Sequence, residues 1–356
     1  MLNSQVYAAL RGAGRAITHG RCGGVGASAF LMGGGIGFAM RDHGLGCDAV
    51  RAATMMRADG TEMRASALES AELFWALRGA GGGNLGAMTS WTLATVAAEP
   101  VTFIDLAWPD ATPELLLRLA RALEASPGRM GTKLSLLAPH GVQSRGVTLK
   151  LLGQLRGGRA EALDLLAPVH ALRAPAGRLE EMAYWPAQDA LSEEGHPAWY
   201  RETSRYLGTF PERLAEEVFA RLRRWPGTRG EAMFKMFHVG GRIREQPQDA
   251  TAFVHRNAEW LAGTEVTWMG ADGPARIEAA LAWQRAFHWA IDNGAEAAGG
   301  SYQNFPDPGL ENPANAYYGV NLGRLGRVRS QVDPDHVFSP PRFQGIPASV
   351  PVPSDA

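Results

Sequence analysis

The chain has 356 residues, 46% of them hydrophobic and 20% charged, which is enough to build one large or two medium domains. A formal net charge of -1 provides no basic field, so we expect no nucleic-acid partner and no anionic membrane partner. The two cysteines, Cys22 and Cys47, exclude a disulfide framework and leave only a single bridge between them open. The sequence shows neither a secretory signal nor an apolar run of the ~18 residues that cross a bilayer, so a cytoplasmic location is the default expectation.

The segment from residue 19 to residue 48 combines a cysteine with glycines that interrupt apolar residues. Glycine has no Cβ, so its backbone amides can come within hydrogen-bond distance of a planar or phosphorylated ligand. The segment therefore predicts a site for a flat ligand, with Cys22 as a candidate for covalent attachment. The alternative is that the glycines form tight turns between short strands. The run in question consists of Gly33, Gly34, Gly35 and Gly37.

Residues 50–65 predict two strands around Asp59 and Gly60, a dipeptide that tolerates the positive φ of a tight hairpin turn. Residues 70–78 predict a short buried helix with Ser70 as its N-cap. Turn, strand and helix signals thus alternate within a short stretch of chain.

Residues 87–97 alternate like a strand, and the sequence that follows favours longer helices separated by strands. We therefore place a domain boundary at residue 99. Because strands and helices do not alternate strictly, the second domain is predicted to be an α+β sheet covered on one face. The predicted helices are residues 113–125, 159–170, 211–225, 275–292 and 317–332, and the predicted strands are residues 146–155, 232–239 and 266–269.

Two glycine motifs test other nucleotide folds. Gly81 to Gly86 satisfies the letters G-x-G-x-x-G, but it follows a predicted helix and precedes a predicted strand, the reverse of a dinucleotide-binding fingerprint. No Gly-Lys-Ser or Gly-Lys-Thr follows a glycine run, so a P-loop is excluded. The histidines show no metal-binding spacing and no G-x-S-x-G is present, so we expect neither a metal site nor a hydrolase.

The order of these motifs resembles the berberine-bridge-enzyme-like family of flavin oxidoreductases, which binds FAD in the vanillyl-alcohol-oxidase (PCMH-type) manner. The resemblance covers the whole length of the chain. It rests on the Cys22 loop, RDHGL at 41–45, LFWALRG at 73–79, GGGNLG at 81–86, DATAFVHR at 249–256, YQNFPD at 302–307 and DPDHVF at 333–338.

This resemblance implies an α+β fold in which a PCMH-type FAD-binding domain carries an inserted α+β substrate domain, an antiparallel sheet covered by helices. Residues 1–99 would form the second lobe of the FAD-binding domain, and residues 100–304 the substrate-binding domain. Residues 305–356 would return to the FAD-binding domain and end in a mobile tail.

In relatives, a cysteine at the position of Cys22 forms a thioether to carbon 6 of the isoalloxazine ring, so the resemblance implies FAD with Cys22 as the candidate attachment point. The alternative for Cys22 is a small buried hydrophobe. The implied cofactor-binding residues are Cys22, Gly23, Val25, Gly26, Gly33, Gly34, Gly35, Gly37, Gly83, Asn84, Gly86, Tyr302 and Asn304. For Asn84, a purely structural role in a left-handed turn stays equally open.

Tyr302 belongs to a Tyr-x-Asn element that in relatives reaches the flavin, and it is the candidate catalytic base. Oxidation of a C–H bond by hydride loss needs a base to relieve the developing positive charge. The alternative is a buried tyrosine whose hydroxyl satisfies a backbone group. His238, His255 and Arg256 are predicted to have structural roles.

The resemblance implies an FAD-dependent oxidoreductase that transfers hydride from a small organic substrate to flavin N5 and is reoxidised by O2. The family includes enzymes of secondary metabolism, and this sequence does not select a substrate. The expected first lobe of the FAD domain has no counterpart before residue 19, so the chain resembles a truncated member. A misplaced start, a truncated gene, or a partner chain that supplies the lobe stay open, as does a catalytically silent or split remnant.

Overall fold

The structure is a computed structural model, and it describes residues 1–139, 146–193, 199–294, 299–341 and 345–347. No helix in these ranges is both long enough and apolar enough to cross a bilayer. The end of the predicted mobile tail, residues 348–356, lies outside the described residues. The α-helices are α1 Asn3–Gly12, α2 Ala27–Met32, α3 Met40–His43, α4 Ala71–Ala76, α5 Pro113–Glu124, α6 Arg159–His170, α7 Tyr184–Leu191, α8 Glu212–Arg223, α9 Pro274–Gly294, α10 Pro313–Tyr318 and α11 Leu322–Val332. The strands are β1 Arg15–Ala16, β2 Val50–Met56, β3 Glu62–Ser66, β4 Ala87–Leu93, β5 Val96–Ala97, β6 Val101–Trp108, β7 Met130–Leu137, β8 Thr148–Leu155, β9 Ala176–Met182, β10 Trp199–Glu202, β11 Arg205–Leu207, β12 Ala232–His238 and β13 Trp260–Trp268.

The chain divides into two compact units. The first contains Met1–Ala98, Arg242–Arg256 and Gly300–Ala356, and the second contains Glu99–Gly241 and Asn257–Gly299. The sequence-based division differs in two main respects, because it leaves residues 242–256 and residues 300–304 in the second domain. Those residues carry few apolar side chains at a regular period, so the sequence holds no signal for the unit with which they pack.

In the first unit, β2 and β3 form the predicted hairpin, with Gly60 at φ 79° in its turn, and β4 pairs with the other edge of β2. Helix α4 was predicted correctly, but the expected cap was wrong. Ser70 adopts a left-handed conformation at φ 48°, and its side chain makes no capping hydrogen bond. The helix is held instead by its buried face, where Leu73, Phe74 and Trp75 enter the core of this unit.

Two further predicted elements of the first unit are divided in the structure. The strand predicted over residues 87–97 forms β4 and β5, and β5 pairs with β1 near the N-terminus. The helix predicted over residues 317–332 is interrupted by a 3-10 turn at Gly319–Asn321, where Gly319 has φ 47°. In both cases the backbone changes direction within a segment whose apolar pattern is continuous.

The second unit is built on an eight-stranded sheet within the described residues, with all its pairs antiparallel. Its order is β10-β13-β12-β7-β8-β6-β9, and β11 also pairs with β13. Helices α5, α6, α8 and α9 contribute apolar side chains to one continuous core with these strands. The predicted α+β class with a helix-covered antiparallel sheet is therefore confirmed. The strand predicted over 266–269 is only the end of β13.

Helix α5 shows why the helices of this unit could be predicted from the spacing of their apolar residues. Thr112 caps it by accepting a hydrogen bond from the backbone N–H of Leu115 at 3.2 Å, and Pro113 occupies the first turn, where no N–H is needed. Leu116, Leu119 and Leu123 recur at three- and four-residue spacing and are fully buried.

Candidate functional site

The phenol oxygen of Tyr302 is the point at which the predicted glycine run and the predicted Tyr-x-Asn element meet. It accepts hydrogen bonds from the backbone N–H groups of Gly35 at 3.2 Å and Ile36 at 3.3 Å. The side-chain amide of Asn304 donates to the same oxygen at 3.0 Å. Burial raises the pKa of Tyr302 to about 12, although the three donors act in the opposite direction because they favour the phenolate.

Asn304 fixes the glycine run from the other side. Its amide nitrogen also donates to the carbonyl oxygen of Phe30 at 3.2 Å. A Cβ at Gly33 would overlap the Asn304 amide, so the close approach of the two segments requires glycine there. Gly34 likewise lies against the Phe253 ring. These contacts explain the glycines by packing within the protein.

The amides of the run are used inside the protein as well. The N–H of Gly33 donates to Ala29 and that of Gly34 donates to Leu31, both at 3.1 Å, while Gly35 donates to Tyr302. Gly37 approaches the His19 carbonyl so closely that a Cβ would overlap it. The run therefore forms a rigid support, and its amides at residues 33–35 have protein acceptors.

The second glycine loop, residues 79–86, packs against the same support. Gln303 donates from Nε2 to the Gly79 carbonyl at 2.6 Å, and the Gly81 N–H donates to the Met32 carbonyl at 2.9 Å. Asn84 is fully buried and donates to the Ala80 carbonyl at 2.8 Å.

Asn84 also joins this loop to two other parts of the first unit. Its Nδ2 donates to the Tyr318 hydroxyl at 3.3 Å, and its Oδ1 accepts from the Ile346 N–H at 2.9 Å. Gly86 packs so tightly on β2 that a Cβ would lie 2.6 Å from the Met55 sulfur, whereas Gly83 is exposed. These bonds give Asn84 partners within the protein, and its contact with FAD stays a prediction.

The cysteine loop is the open part of the candidate site. Cys22 is half-buried and forms no disulfide, and Val25 is 41% exposed. A Cβ added at Gly24 or Gly26 would meet nothing within 4 Å, and in the described part of the chain the N–H groups of these two glycines have no acceptor. The loop is held to α1 through its carbonyl groups, since Val25 and Gly23 accept from the N-terminal backbone.

A buried ion pair in the first unit joins Arg256 to Asp48, which follows the glycine run in the sequence. Arg256 is fully buried and binds Asp48 with two hydrogen bonds, at 2.8 Å and 3.2 Å, and it also donates to the Thr251 hydroxyl at 2.7 Å. The neighbouring Cys47 is fully buried and free, and burial raises the pKa of its thiol well above the ordinary value. The open alternative of a Cys22–Cys47 bridge is thus not realised.

Comparison with known proteins shows what the chain is similar to. A family model described as "Berberine and berberine like" matches residues 301–347, which contain Tyr302 and Asn304. An uncharacterized FAD-linked oxidoreductase of Bacillus subtilis (strain 168) is 28% identical over 338 residues, covering 91% of this chain and 71% of that protein. The chain is a relative of the berberine-bridge-enzyme-like FAD-linked oxidoreductases. A xylooligosaccharide oxidase of Thermothelomyces thermophilus is 27% identical over 353 residues, covering 92% of this chain and 69% of that enzyme.

The solved structure of berberine bridge enzyme from Eschscholzia californica has the same fold. It superposes with a TM-score of 0.86 at 22% identity, over 97% of this chain and 75% of that chain. The predicted PCMH-type architecture is therefore confirmed at the level of the fold.

The predicted site residues fall into three groups. The first, joined by hydrogen bonds and packing, consists of Gly33, Gly34, Gly35, Tyr302 and Asn304, with Gly37 at the end of the same glycine run against the His19 carbonyl. The second is the loop with Gly83, Asn84 and Gly86, and the third is the open loop with Cys22, Gly23, Val25 and Gly26. The joint action of Cys22 and Tyr302 on one ligand stays a prediction.

The sequence held no clear signal for a buried charged cluster in the second unit. Lys235 lies 2.5 Å from Glu202 and 2.7 Å from Glu265, and burial raises the pKa of Glu202 to about 7. The only sequence signal is a lysine in a strand-like segment, AMFKMFH, where it shares a face with Met233 and Phe237. A charged residue at such a position is placed by its partners on other strands, which lie far away in sequence.

Gly79 offers a direct test of the support beneath the site. It has φ 142°, and a Cβ there would overlap the backbone of Ala252 and Phe253, which cannot move aside. We expect Gly79→Ala to lower the free energy of unfolding by about 2–5 kcal/mol, the sum of backbone strain and overpacking. Urea denaturation followed by tryptophan fluorescence measures it.

Gly60→Ala is the matched control, because Gly60 also has a positive φ of 79° but nothing lies within 4 Å of an added Cβ. It should cost only the strain, about 1–2 kcal/mol. Equal costs at the two positions would show that the contact with residues 252 and 253 does not require glycine.

Proposed function

We propose that this chain is an FAD-dependent oxidoreductase that removes hydride from a hydroxyl-bearing carbon of a small organic substrate and passes the electrons on to O2. The observation that carries the proposal is the convergence of three N–H donors on the buried Tyr302 oxygen. Kinship with FAD-linked oxidoreductases supports the cofactor, and the hydride and O2 steps are our proposal.

The residues of the Cys22 loop fit a flavin. A planar ring system needs open space, backbone donors without acceptors and, for a covalent bond, an accessible thiol. The loop supplies all three, at Cys22, Gly24 and Gly26. FAD, when bound, would accept the hydride at its N5 atom. Gly33 to Gly35 would support the loop from behind, with Asn304 and Tyr302 as their partners.

Tyr302 would receive the proton of the substrate hydroxyl as hydride leaves. Its Oη is the only atom of that side chain that can exchange a proton, and Gly35, Ile36 and Asn304 would stabilise the phenolate through their N–H groups. Burial opposes this by keeping the phenol protonated, and it raises the pKa of Tyr302 to about 12. Proton acceptance by Tyr302 is therefore expected to be strongly pH-dependent.

Several relatives are named for hydroxylated substrates, which guides the choice of compounds to test. They are a xylooligosaccharide oxidase, a carbohydrate oxidase of Microdochium nivale and a glucooligosaccharide oxidase of Sarocladium strictum. We propose oligosaccharides as the first substrate class to test.

The colour of the purified protein tests the proposal. We expect the yellow absorbance of oxidised flavin, and we expect it to stay with the protein after acid precipitation because Cys22 would hold the flavin covalently. Cys22→Ala should release more than about nine-tenths of its flavin on precipitation. Cys47→Ala is the control, because burial keeps that thiol protonated and inaccessible. This variant should keep its flavin after precipitation.

The outcomes are distinct. A colourless chain that gains no flavin absorbance with added FAD would overturn the proposal for this chain alone. Flavin that appears only after a separate FAD-domain lobe is added would favour the split alternative. If Cys22→Ala kept its flavin after precipitation, Cys22 would not be the attachment point, but the chain would still bind the cofactor.

A further inference from the structure

A cleft of about 450 Å³ lies in the first unit, between β2, α4, the segment around Asp249 and helix α11. It is lined by three arginines, Arg51, Arg78 and Arg324, and by aromatic side chains of α4. None of these residues belongs to the flavin site proposed above. Among the residues lining the cleft the arginines outnumber the carboxylates, which are Glu72 and Asp249.

Arg78 is the central feature of this cleft. Its guanidinium is half-buried and stacks on the Phe74 ring at 4.0 Å from the centroid. Its hydrogen bonds go to backbone carbonyl oxygens, from Nε to Phe74 at 3.2 Å and from Nη2 to Ala250 at 3.5 Å. In the part of the chain that the structure describes, it forms no ion pair with a carboxylate.

A half-buried guanidinium without a counter-ion is an unusual arrangement, because a cation loses hydration on burial and is normally paired. Burial lowers the pKa of Arg78, although the nearby Asp48 carboxylate, with which it forms no ion pair in the described residues, acts in the opposite direction. A planar guanidinium group suits the two oxygens of a carboxylate or phosphate. The cleft thus holds a preorganised donor whose natural partner is an anion.

The other two arginines add charge at the same cleft. Arg324 stacks on the Trp75 ring at 4.0 Å and is held by Glu72 through two hydrogen bonds, at 2.9 Å and 2.5 Å. Arg51 is exposed, and its side chain donates only to the backbone carbonyls of Asp48 and Val50, at 3.2 Å and 3.5 Å. Within the described residues, Arg78 and Arg51 therefore have no carboxylate partner. Arg78 and Arg324 are each stacked on one aromatic ring.

We propose that this cleft is a binding site for a small oxyanion, a carboxylate or phosphate group, with Arg78 as the principal contact and Arg51 as a second one. The site is separate from the Cys22 loop and from Tyr302, so it adds a ligand to those of the oxidoreductase activity. The volume of about 450 Å³ would hold a small metabolite carrying the anionic group.

Isothermal titration of the full chain with inorganic phosphate, and separately with succinate, in constant sodium chloride tests this site. We expect saturable binding with a Kd of about 1 mM or tighter for at least one of the two ions. R78Q should weaken binding about tenfold or more, because it removes a charge-assisted donor. R51Q should weaken it about three- to tenfold, and since Arg51 is exposed this variant keeps the test valid if R78Q unfolds.

R118Q is the control, because Arg118 lies in the second unit on α5 and pairs only with exposed Glu114. It changes the net charge by the same amount and should bind within about twofold of the unaltered chain. Loss of binding in R51Q but not in R118Q supports the site, and a preference for phosphate or succinate identifies the oxyanion. Absence of saturable binding to both ions, or R51Q and R118Q titrations that coincide with that of the unaltered chain, would overturn it. Flavin content is read separately, so a failure here is distinguishable from a failure of the proposed activity.

Discussion

Replacing Tyr302 with phenylalanine should lower kcat/KM of the FAD-loaded protein about 10²- to 10⁴-fold, the range that a positioned general base supplies. The change removes one oxygen and leaves the ring, which packs edge-on against Phe305 at a centroid distance of 5.0 Å. The measurement is initial rates of oxygen consumption with an oligosaccharide substrate. The flavin content of both proteins must be equal for the comparison to report on the proton acceptor.

The pH profile separates a proton acceptor from a residue that only holds the loop. Because burial raises the pKa of Tyr302 to about 12, the phenolate is scarce at neutral pH. As long as the pH is below this pKa, each rise of one pH unit makes the phenolate about tenfold more abundant. We expect log kcat/KM to rise with a slope of about one between about pH 7 and 10, and to be flat in Tyr302→Phe. A flat profile in the unaltered enzyme would contradict a base with this pKa.

Tyr318→Phe is the matched control for this experiment. Tyr318 is also fully buried, donates to the Ala80 carbonyl at 2.9 Å and accepts from Asn84, so its loss disturbs hydrogen bonds of similar kind. It should lower stability by about 1–3 kcal/mol, as Tyr302→Phe should, because buried partners are left unsatisfied. Only Tyr302→Phe should also change the slope of the pH profile. If kcat/KM fell by the same factor in both variants, the role of Tyr302 would be structural.

Local pattern was sufficient to predict much of the fold. The D-G turn between β2 and β3, the apolar period of α5 and the alternation along β12 each involve residues close in sequence, whose side-chain directions follow from the helix or strand period. The predicted family then supplied what local pattern could not, namely how the elements are assembled into the PCMH-type architecture.

The candidate site could be predicted only as a set of residues. The hydrogen bond between the Gly35 N–H and the Tyr302 oxygen joins positions 267 residues apart, and no period or spacing encodes it. The glycines were predicted to approach a ligand, whereas Gly33 is required by the Asn304 side chain. Glycine signals close approach of some group, but it does not reveal whether that group is a cofactor or another segment of the same chain.

The ion pair between Arg256 and Asp48 shows the same limitation, and it leads to the second large effect. Arg256→Met should lower the free energy of unfolding of the first unit by about 3–5 kcal/mol, because removing one partner leaves the Asp48 charge in a site only 12% exposed. The pair connects a turn that follows the glycine run to the segment ending at Arg256, and it also holds the Thr251 hydroxyl. Faster hydrogen exchange of the backbone amides in residues 44–50 and 251–256 would show that these two segments are the ones destabilised.

Arg118→Met is the control, because its partner Glu114 is 65% exposed and such surface pairs contribute about 0.5 kcal/mol or less. Salt distinguishes the two pairs further. Raising the ionic strength should abolish the small effect at Arg118 and leave most of the effect at Arg256, since buried charges are screened far less. A cost at Arg256 below about 1 kcal/mol would mean that Asp48 is solvated or repartnered in the variant. In that case Arg256 would not be what keeps the glycine run and residues 251–256 together, and the support for the Tyr302 oxygen would rest on Asn304 and the backbone alone.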